Sequence, residues 1–224
     1  MTSPKSIHSE DPDPQPCLDR IREIKRELGK RLVILGHHYQ RDEIVDLADF
    51  RGDSFLLSKR ASEQREAEYI VFCGVHFMAE SARILAQPHQ KVYLPDRRAG
   101  CPMADMADID TVERVWEDLN AIAGPGRIMP VTYVNSDADI KAMCGRNGGL
   151  TCTSSNADKA FRWAFDRREK VIFFPDQHLG QNTANQLGIP REQVIFWDWL
   201  APDPRKDHTD EDILNSRVIL WNGY

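Results

Sequence analysis

The 224-residue sequence lacks several features that mark broad classes of protein. No apolar run approaches the roughly 20 residues that cross a bilayer, and the 13 glycines and 13 prolines follow no fibrous repeat. Basic charge is in deficit, with 29 Lys and Arg against 35 Asp and Glu and a net charge of −6. Nucleic-acid binding and attachment to an anionic membrane both depend on surplus positive charge, so we expect neither.

Familiar cofactor and metal motifs are also missing. The sequence contains no GxGxxG and no GxxxxGK[ST], which removes the dinucleotide fingerprint and the P-loop, and no HExxH or CxxC, which argues against a zinc hydrolase. The N-terminal segment MTSPKSIHSEDPDPQP is acidic and proline-rich rather than basic and then apolar. It therefore does not predict a secretory signal, and we expect a cytoplasmic protein with free thiols.

Five cysteines are present, an odd number that argues against a disulfide framework. Cys101 lies in AGCPMAD, between a glycine and a proline, where a loop is expected. A loop thiol of this kind suits iron–sulfur ligation, although one cysteine alone does not establish it. The other four cysteines lie in helix-like or strand-like runs and are predicted to be packing residues: Cys17, Cys73, Cys144 and Cys152.

Strand-like and helix-like runs alternate after a tail of residues 1–16 that we predict to be disordered. A helix is predicted over Cys17–Leu28, with Gly29 as its stop. Short apolar runs typical of buried parallel strands follow at 32–36, 69–75, 91–96, 127–135, 149–156, 170–176 and 217–221. This order predicts an α/β fold with two copies of a small βαβαβ unit, in which KVYLPD matches KVIFFPD. The alternative is ordinary α/β alternation without a repeat.

Polar side chains follow these strands, at the edge where parallel sheets bind ligands. In GHHYQ, His37 and His38 point to opposite faces of a strand, so one buried and one solvated ring is the alternative to metal binding. CTSSNA (152–157) and GDS (52–54) could each form an anion site at a helix start, or a plain helix cap or turn. Spacing alone therefore indicates an α/β enzyme that binds a small anionic substrate.

Six longer motifs point to a particular family of α/β enzymes. The segments are GHHYQRDEIVDLADFRGDS (36–54), IVFCGVHFMAE (70–80), LPDRRAGCPMAD (94–105), YVNSDADIKA (133–142), CTSSNA (152–157) and FFPDQHLGQNTA (173–184). In combination and order, from about residue 20 onward, they resemble the quinolinate synthase family, the iron–sulfur enzymes of de novo NAD biosynthesis. The resemblance implies condensation of iminoaspartate with dihydroxyacetone phosphate, with loss of phosphate and two waters.

The resemblance also implies a fold and a site. The family has three similar three-layer αβα domains with parallel sheets around a pseudo-threefold axis, which places a first domain at 17–104 and a second at 105–224. Its [4Fe–4S] cluster is bound by one cysteine from each domain, and Cys101 matches the first. Residues that match the family's catalytic or substrate-binding positions are His37, Tyr39, Ser54, Tyr133, Asn135 and Ser154.

In the family, the pattern after RVILWNGY continues with the second cluster cysteine and a third domain. We therefore expect two of three cluster ligands to lie outside these residues, and little or no activity from residues 1–224 alone. A non-catalytic module that binds a dicarboxylate or phosphate, or one half of a split enzyme, is the alternative. L-aspartate oxidase, as a source of iminoaspartate, is the protein partner that the resemblance suggests.

Overall fold

The computed structural model describes residues 13–201 and 207–223, so most of the predicted N-terminal tail lies outside it. The described residues form two parallel sheets with helices between the strands. The helices are Gln15–Leu28 (α1), Asp42–Val45 (α2), Ser54–Glu63 (α3), His76–Leu85 (α4), Ile109–Ala123 (α5), Ala138–Arg146 (α6), Ala157–Phe165 (α7), Gln177–Gln186 (α8) and Asp210–Asn215 (α9). The strands are Leu32–His37 (β1), Phe50–Gly52 (β2), Tyr69–Cys73 (β3), Lys91–Tyr93 (β4), Ile128–Tyr133 (β5), Leu150–Cys152 (β6), Lys170–Phe174 (β7), Val194–Trp197 (β8) and Val218–Trp221 (β9).

The first sheet has the strand order β2-β1-β3-β4, with every neighbouring pair parallel. Strand β1 is a continuous apolar run that lies at the centre, buried from Val33 onward. Its last residue, His37, pairs with Gly52 at the end of β2. The carboxyl ends of β1 and β2 are therefore adjacent, which brings the residues after both strands to one edge of the sheet.

Helix α1 precedes the first sheet and begins two residues before the predicted start at Cys17. It ends where predicted, because Gly29 adopts a φ of 52°, a left-handed conformation that most side chains disfavour. Ile21, Ile24 and Leu28 recur along this helix at spacings of three and four and line a cavity against the sheet. Helix α3 packs against β1 and β2.

The second sheet has the strand order β6-β5-β7-β9-β8, again parallel throughout. One face packs on α5, α6 and α9, where the buried side chains include Leu119, Met143 and Ile213. The other face packs on α7 and α8. A Cβ at Gly180 of α8 would lie 2.4 Å from Leu220, so only glycine lets this helix approach the strand so closely. These three layers confirm the predicted αβα architecture.

The internal repeat is confirmed, but the predicted match between KVYLPD and KVIFFPD is wrong. Strand β3 pairs with β1 as β7 pairs with β5, so β7 corresponds to β3, and KVYLPD contains the edge strand β4. The true second strand of the first unit, β2, escaped the sequence analysis. It has only three residues, none of them buried, and so carries no hydrophobic pattern.

Two compact units divide the described chain. The first contains the sheet through Gly74 together with Leu85–Pro95, and the second contains Val75–Ile84 and everything from Asp96 onward. Cys101 therefore packs with the second sheet. The boundary predicted between residues 104 and 105 stays a prediction. Across 13–201 and 207–223, no helix is both long and apolar enough to cross a membrane.

Candidate functional site

In the first unit, His37 ends β1 with its side chain buried, only 5% exposed. Burial, together with the charge of the neighbouring His38, lowers the pKa of His37 to about 4, while Asp53 acts in the opposite direction. The imidazole is therefore neutral at neutral pH. The backbone N–H of Tyr39 points at Nδ1 over 3.5 Å, a long contact in which Nδ1 accepts, so the ring proton belongs on Nε2.

Tyr39 and His38 complete the GHHYQ segment. The ring centroid of Tyr39 lies 3.8 Å from that of His37, and the tyrosine itself is exposed. His38 is exposed too, and its Nδ1 donates to the Gly52 carbonyl over 3.2 Å. One buried and one exposed histidine is the arrangement that strand alternation predicts. A phenol and a neutral imidazole in contact can pass a proton to a bound molecule.

Ser54 opens helix α3 at the same edge of the first sheet and is buried. Asp53, not Ser54, caps the helix, since its carboxylate accepts from the Leu56 N–H over 2.8 Å. The Ser54 hydroxyl thus has no capping role, and GDS is the start of a helix rather than a plain turn. The structure brings His37, Tyr39 and Ser54 to one edge, where β1 and β2 end side by side.

In the second unit, Tyr133 ends β5, and its hydroxyl lies near Ser154, which follows β6. Burial raises the pKa of Tyr133, the nearby Ser154 hydroxyl opposes that shift, and the negative charge of Asp176 adds to it. The phenol therefore stays protonated at neutral pH and can donate. Asp176 itself caps α8, accepting from the His178 N–H over 2.8 Å.

The start of α7 lies beside this tyrosine. Capping by Ser or Asn, the alternative considered for CTSSNA, does not occur: no side chain caps α7. The side-chain oxygen Oδ1 of Asn156 instead accepts from the Thr153 N–H over 2.7 Å, and the hydroxyls of Thr153 and Ser155 bond each other over 2.9 Å. The first N–H groups of α7 thus remain available to an anion. Asn135, two residues after Tyr133, is half-buried.

Cys101 lies on the loop after β4 and is partly exposed. The loop is anchored in the second unit, because the Asp105 N–H donates to the Cys101 carbonyl over 3.0 Å and Trp221 Nε1 donates to the Met106 carbonyl over 2.7 Å. Cys101 lies close enough to Tyr133 to raise the pKa of that phenol. The predicted cluster ligand therefore lies at the same edge as Tyr133 and Ser154.

The remaining cysteines do not complete a cluster site. Burial raises the pKa of Cys152 to about 12 and raises that of Cys144 as well, so both stay thiols rather than the thiolates that bind iron. Cys17 is exposed on α1, and Cys73 belongs to the first sheet. Nowhere in the described residues do three His, Cys, Asp or Glu side chains group to hold a metal. These residues fit one ligand position of a [4Fe–4S] cluster and not a whole site.

Two acidic residues, Asp53 and Asp176, were not among the predicted site residues, although the structure places them near His37 and Tyr133. Asp53 acts electrostatically on His37, and Asp176 acts on Tyr133. Asp176 follows a strand, which is a usable signal, whereas Asp53 follows the three-residue β2 that no hydrophobic pattern marks. The seven candidate residues lie in two groups, with His37, Tyr39 and Ser54 in the first unit and Tyr133, Asn135, Ser154 and Cys101 in the second.

Comparison with known proteins identifies the family. The sequence model of the family described as quinolinate synthetase A protein matches residues 19–224. Curated quinolinate synthases from Halalkalibacterium halodurans and a Geobacillus strain are each 56% identical to this chain, and one from Bacillus anthracis is 55% identical; each match covers 92% of this chain. The chain spans 55% of the length of these relatives. It belongs to the quinolinate synthetase A family.

Proposed function

We propose that this chain binds iminoaspartate and takes part in its condensation with dihydroxyacetone phosphate to quinolinate, releasing phosphate and two waters. The observation that carries the proposal is the position of the Tyr133 phenol near Ser154, beside the uncapped start of α7. A dicarboxylate needs fixed donors, and here a protonated phenol, a hydroxyl and free N–H groups occupy one sheet edge. The family membership and the names of the relatives support the reaction.

Each candidate residue has a role that its environment supports. Tyr133, Asn135 and Ser154 bind and orient the carboxylates of iminoaspartate. In the first unit His37, neutral at pH 7, both binds substrate and exchanges protons with it through Nε2, and Tyr39 assists that proton transfer. Ser54 supplies a further hydroxyl to the substrate. When bound, a [4Fe–4S] cluster supplies an open iron that acts as a Lewis acid, and Cys101 is proposed as one of its ligands.

Cys101 is the one cysteine among the described residues that suits cluster binding, and this limits the activity proposed for residues 1–224 alone. One thiolate does not hold a cuboidal cluster, so residues 1–224 alone are proposed to form little or no quinolinate. Under this proposal, the activity requires further cysteine ligands in the same polypeptide or in a partner, as in a split enzyme. The protein is proposed to work in the cytoplasm, with L-aspartate oxidase as the source of iminoaspartate.

Two measurements test the proposal. Calorimetric titration of the purified chain with L-malate, a stable dicarboxylate, should show binding that weakens about tenfold in Ser154→Ala, since one hydrogen bond to a charged group is lost. Ser155→Ala is the matched control, because Ser155 bonds only Thr153 among the described residues. Equal effects of the two substitutions would contradict the assignment of Ser154.

The second measurement is anaerobic cluster reconstitution followed by assays of iron content and quinolinate. We expect well under four irons per chain and no sustained product. Rapid turnover with about four irons per chain would show that these residues are sufficient. Malate binding without any turnover, even when the missing ligands are supplied on a longer polypeptide, would favour the alternative of a non-catalytic binding module.

A further inference from the structure

The loop of residues 133–136, between β5 and α6, carries Tyr133 and Asn135 and is held by buried hydroxyl groups. Thr132 and Ser136 are both fully buried. Thr132 Oγ1 donates to Ser136 Oγ over 2.9 Å, and Ser136 Oγ donates to the Tyr133 carbonyl over 2.8 Å. The far side of the loop is tied to β6, because the Val134 N–H donates to the Cys152 carbonyl over 2.8 Å. Every one of these bonds fixes the backbone on which Tyr133 is carried.

A lysine holds the other end of the same loop. Lys141, one turn into α6, donates from Nζ to the Ser136 carbonyl, and its ammonium lies 5.2 Å from the centroid of the Phe77 ring. Burial lowers the pKa of Lys141 to about 8, against the opposing effect of nearby negative charges. The groups that face it are Glu80 on α4 and Asp137, Asp139 and Cys144 on or beside α6.

A side chain of helix α4 forms a further hydrogen bond to the segment that follows Tyr133. Glu80 Oε2 accepts from the Ala138 N–H over 2.9 Å, at the first residue of α6. Its other oxygen, Oε1, lies 3.3 Å from His76 Nε2, which holds the carboxylate in place. The segment that follows Tyr133 is therefore bound at residues 133, 136 and 138 by side chains that are buried or partly buried. Such satisfied polar networks make one conformation more favourable than its alternatives.

We propose that Ser136 and Lys141 are positioning residues that hold the 133–136 loop in the conformation in which Tyr133 and Asn135 meet a bound dicarboxylate. This inference rests on the proposed function, since that function supplies the dicarboxylate. Neither residue contacts the ligand under this proposal. Both act through the backbone carbonyls of Tyr133 and Ser136, and a change in either one alters where the two binding side chains lie.

The test compares Ser136→Ala and Lys141→Met with the unaltered chain, with Lys30→Met, an exposed lysine before β1 in the first unit, as a control for loss of a lysine. Calorimetric titration with L-malate should show about tenfold weaker binding for the first two variants and no change for the control. Lys141→Arg retains a charged donor and should recover most of the lost affinity.

A second readout needs no ligand. Amide hydrogen exchange at Val134 and Ala138 should become about tenfold faster in Ser136→Ala and Lys141→Met, while amides of β7 and β9 keep their rates. Uniformly faster exchange across the second sheet would mean general destabilisation and would overturn the inference, as would unchanged exchange in the loop. Thr132→Val, which removes one donor without changing side-chain size, gives a milder variant for the same comparison if either of the others does not fold.

Failure of the proposed function is distinguishable from failure of this inference. If the unaltered chain does not bind L-malate, the proposed function is contradicted, and the exchange rates still decide whether Ser136 and Lys141 hold the loop. If malate binds the unaltered chain and both variants equally well, the proposed function stands and the positioning role is overturned.

Discussion

The four strands of the first sheet have the same order as the first four strands of the second, but the sheets differ in how one of their faces is covered. In the second unit, Ile172 of β7 lies beneath a layer of helices that includes α5, α6 and α9, and is fully buried. Its counterpart in β3 is Val71, since the two strands have the same register with their central neighbours. Val71 is only partly buried and lines an apolar cavity of about 550 Å³ beside α1.

The difference in burial between Val71 and Ile172 comes from the helices that cover each sheet rather than from the strands. The cavity walls are almost entirely apolar: Ile21, Ile24, Leu28, Leu32, Ile34, Ile44, Leu47, Tyr69, Val71, Cys73, Tyr93 and Pro95. Tyr93, on the edge strand, is 48% exposed. In the second unit, α9 packs beside α5 and inserts Ile213 into the core. The same alternation of apolar residues thus gives a closed core in one unit and an open cavity in the other.

The largest expected effect comes from truncating the matched strand residues. Ile172→Ala should lower the free energy of unfolding of the second unit by about 2–5 kcal/mol, because a closed core cannot fill the space that is left. Val71→Ala should cost the first unit about 1 kcal/mol or less, since its side chain is already partly solvated. Urea unfolding with hydrogen exchange resolved by sheet measures both. An equal loss in the free energy of unfolding for the two variants would show that Val71 is as closely packed in solution as Ile172.

Acid should act on the first unit through His37. The pKa of this residue is lowered from 6.5 to about 4, so the unfolded chain binds more protons between these values. The free energy of unfolding should therefore fall as the pH drops from 6.5 towards 4, by up to about 3 kcal/mol. His37→Asn should flatten this dependence in urea titrations, and His38→Asn, at the exposed neighbour, should leave it largely in place.

The second unit should respond to alkali instead, through Lys141. Its pKa is lowered to about 8 from 10.5, so the unfolded chain again holds more protons, now between pH 8 and 10.5. The free energy of unfolding should rise over this range by about 1–2 kcal/mol, a contribution that Lys141→Met removes. A profile in which both changes fall in the same pH range would contradict the assignment of these groups to separate units.

The smallest expected effect comes from filling the cavity. Val71→Leu adds one methylene where the first unit has space, and should raise the free energy of unfolding by about 0.5–1 kcal/mol. The same type of change in the second unit is Val171→Leu, at a fully buried residue on the opposite face of β7 from Ile172. It should instead cost about 1–3 kcal/mol through overpacking. Urea unfolding should show changes in the free energy of unfolding of opposite sign for the two variants. Changes of the same sign would contradict the difference in packing between the two units.

Much of the fold was predictable from local patterns. Buried strands such as β1 and β7 are continuous apolar runs, which predict strands at 32–36 and 170–176. Helices α5 and α8 were missed, although α5 starts with Asp108 as a cap and has apolar residues at helical spacing. Strand β2 could not be found in this way, because three half-exposed residues carry no pattern. Because β2 was not predicted, KVYLPD was matched to KVIFFPD, although it contains the edge strand β4.

The candidate site was predictable as a set of residues and not as a set of interactions. Strand ends and family motifs together indicated His37, Tyr133 and Ser154. The proximity of Tyr133 to Ser154 brings together residues at the ends of different strands, and no spacing in the sequence specifies it. Ser136 and Lys141 were contained in the motif YVNSDADIKA without being singled out, since their roles depend on contacts with backbone carbonyls.

The sequence by itself determined the α/β class, the repeat and the family, because these follow from apolar periodicity and from the identity of motif residues along the chain. Only the tertiary structure decided which strands correspond, which face stays open beside α1, and which ionisable groups are shifted. These properties depend on what packs against a residue from distant parts of the chain. The low pKa of His37 and the raised pKa of Tyr133 both arise in this way, from burial that local sequence does not encode.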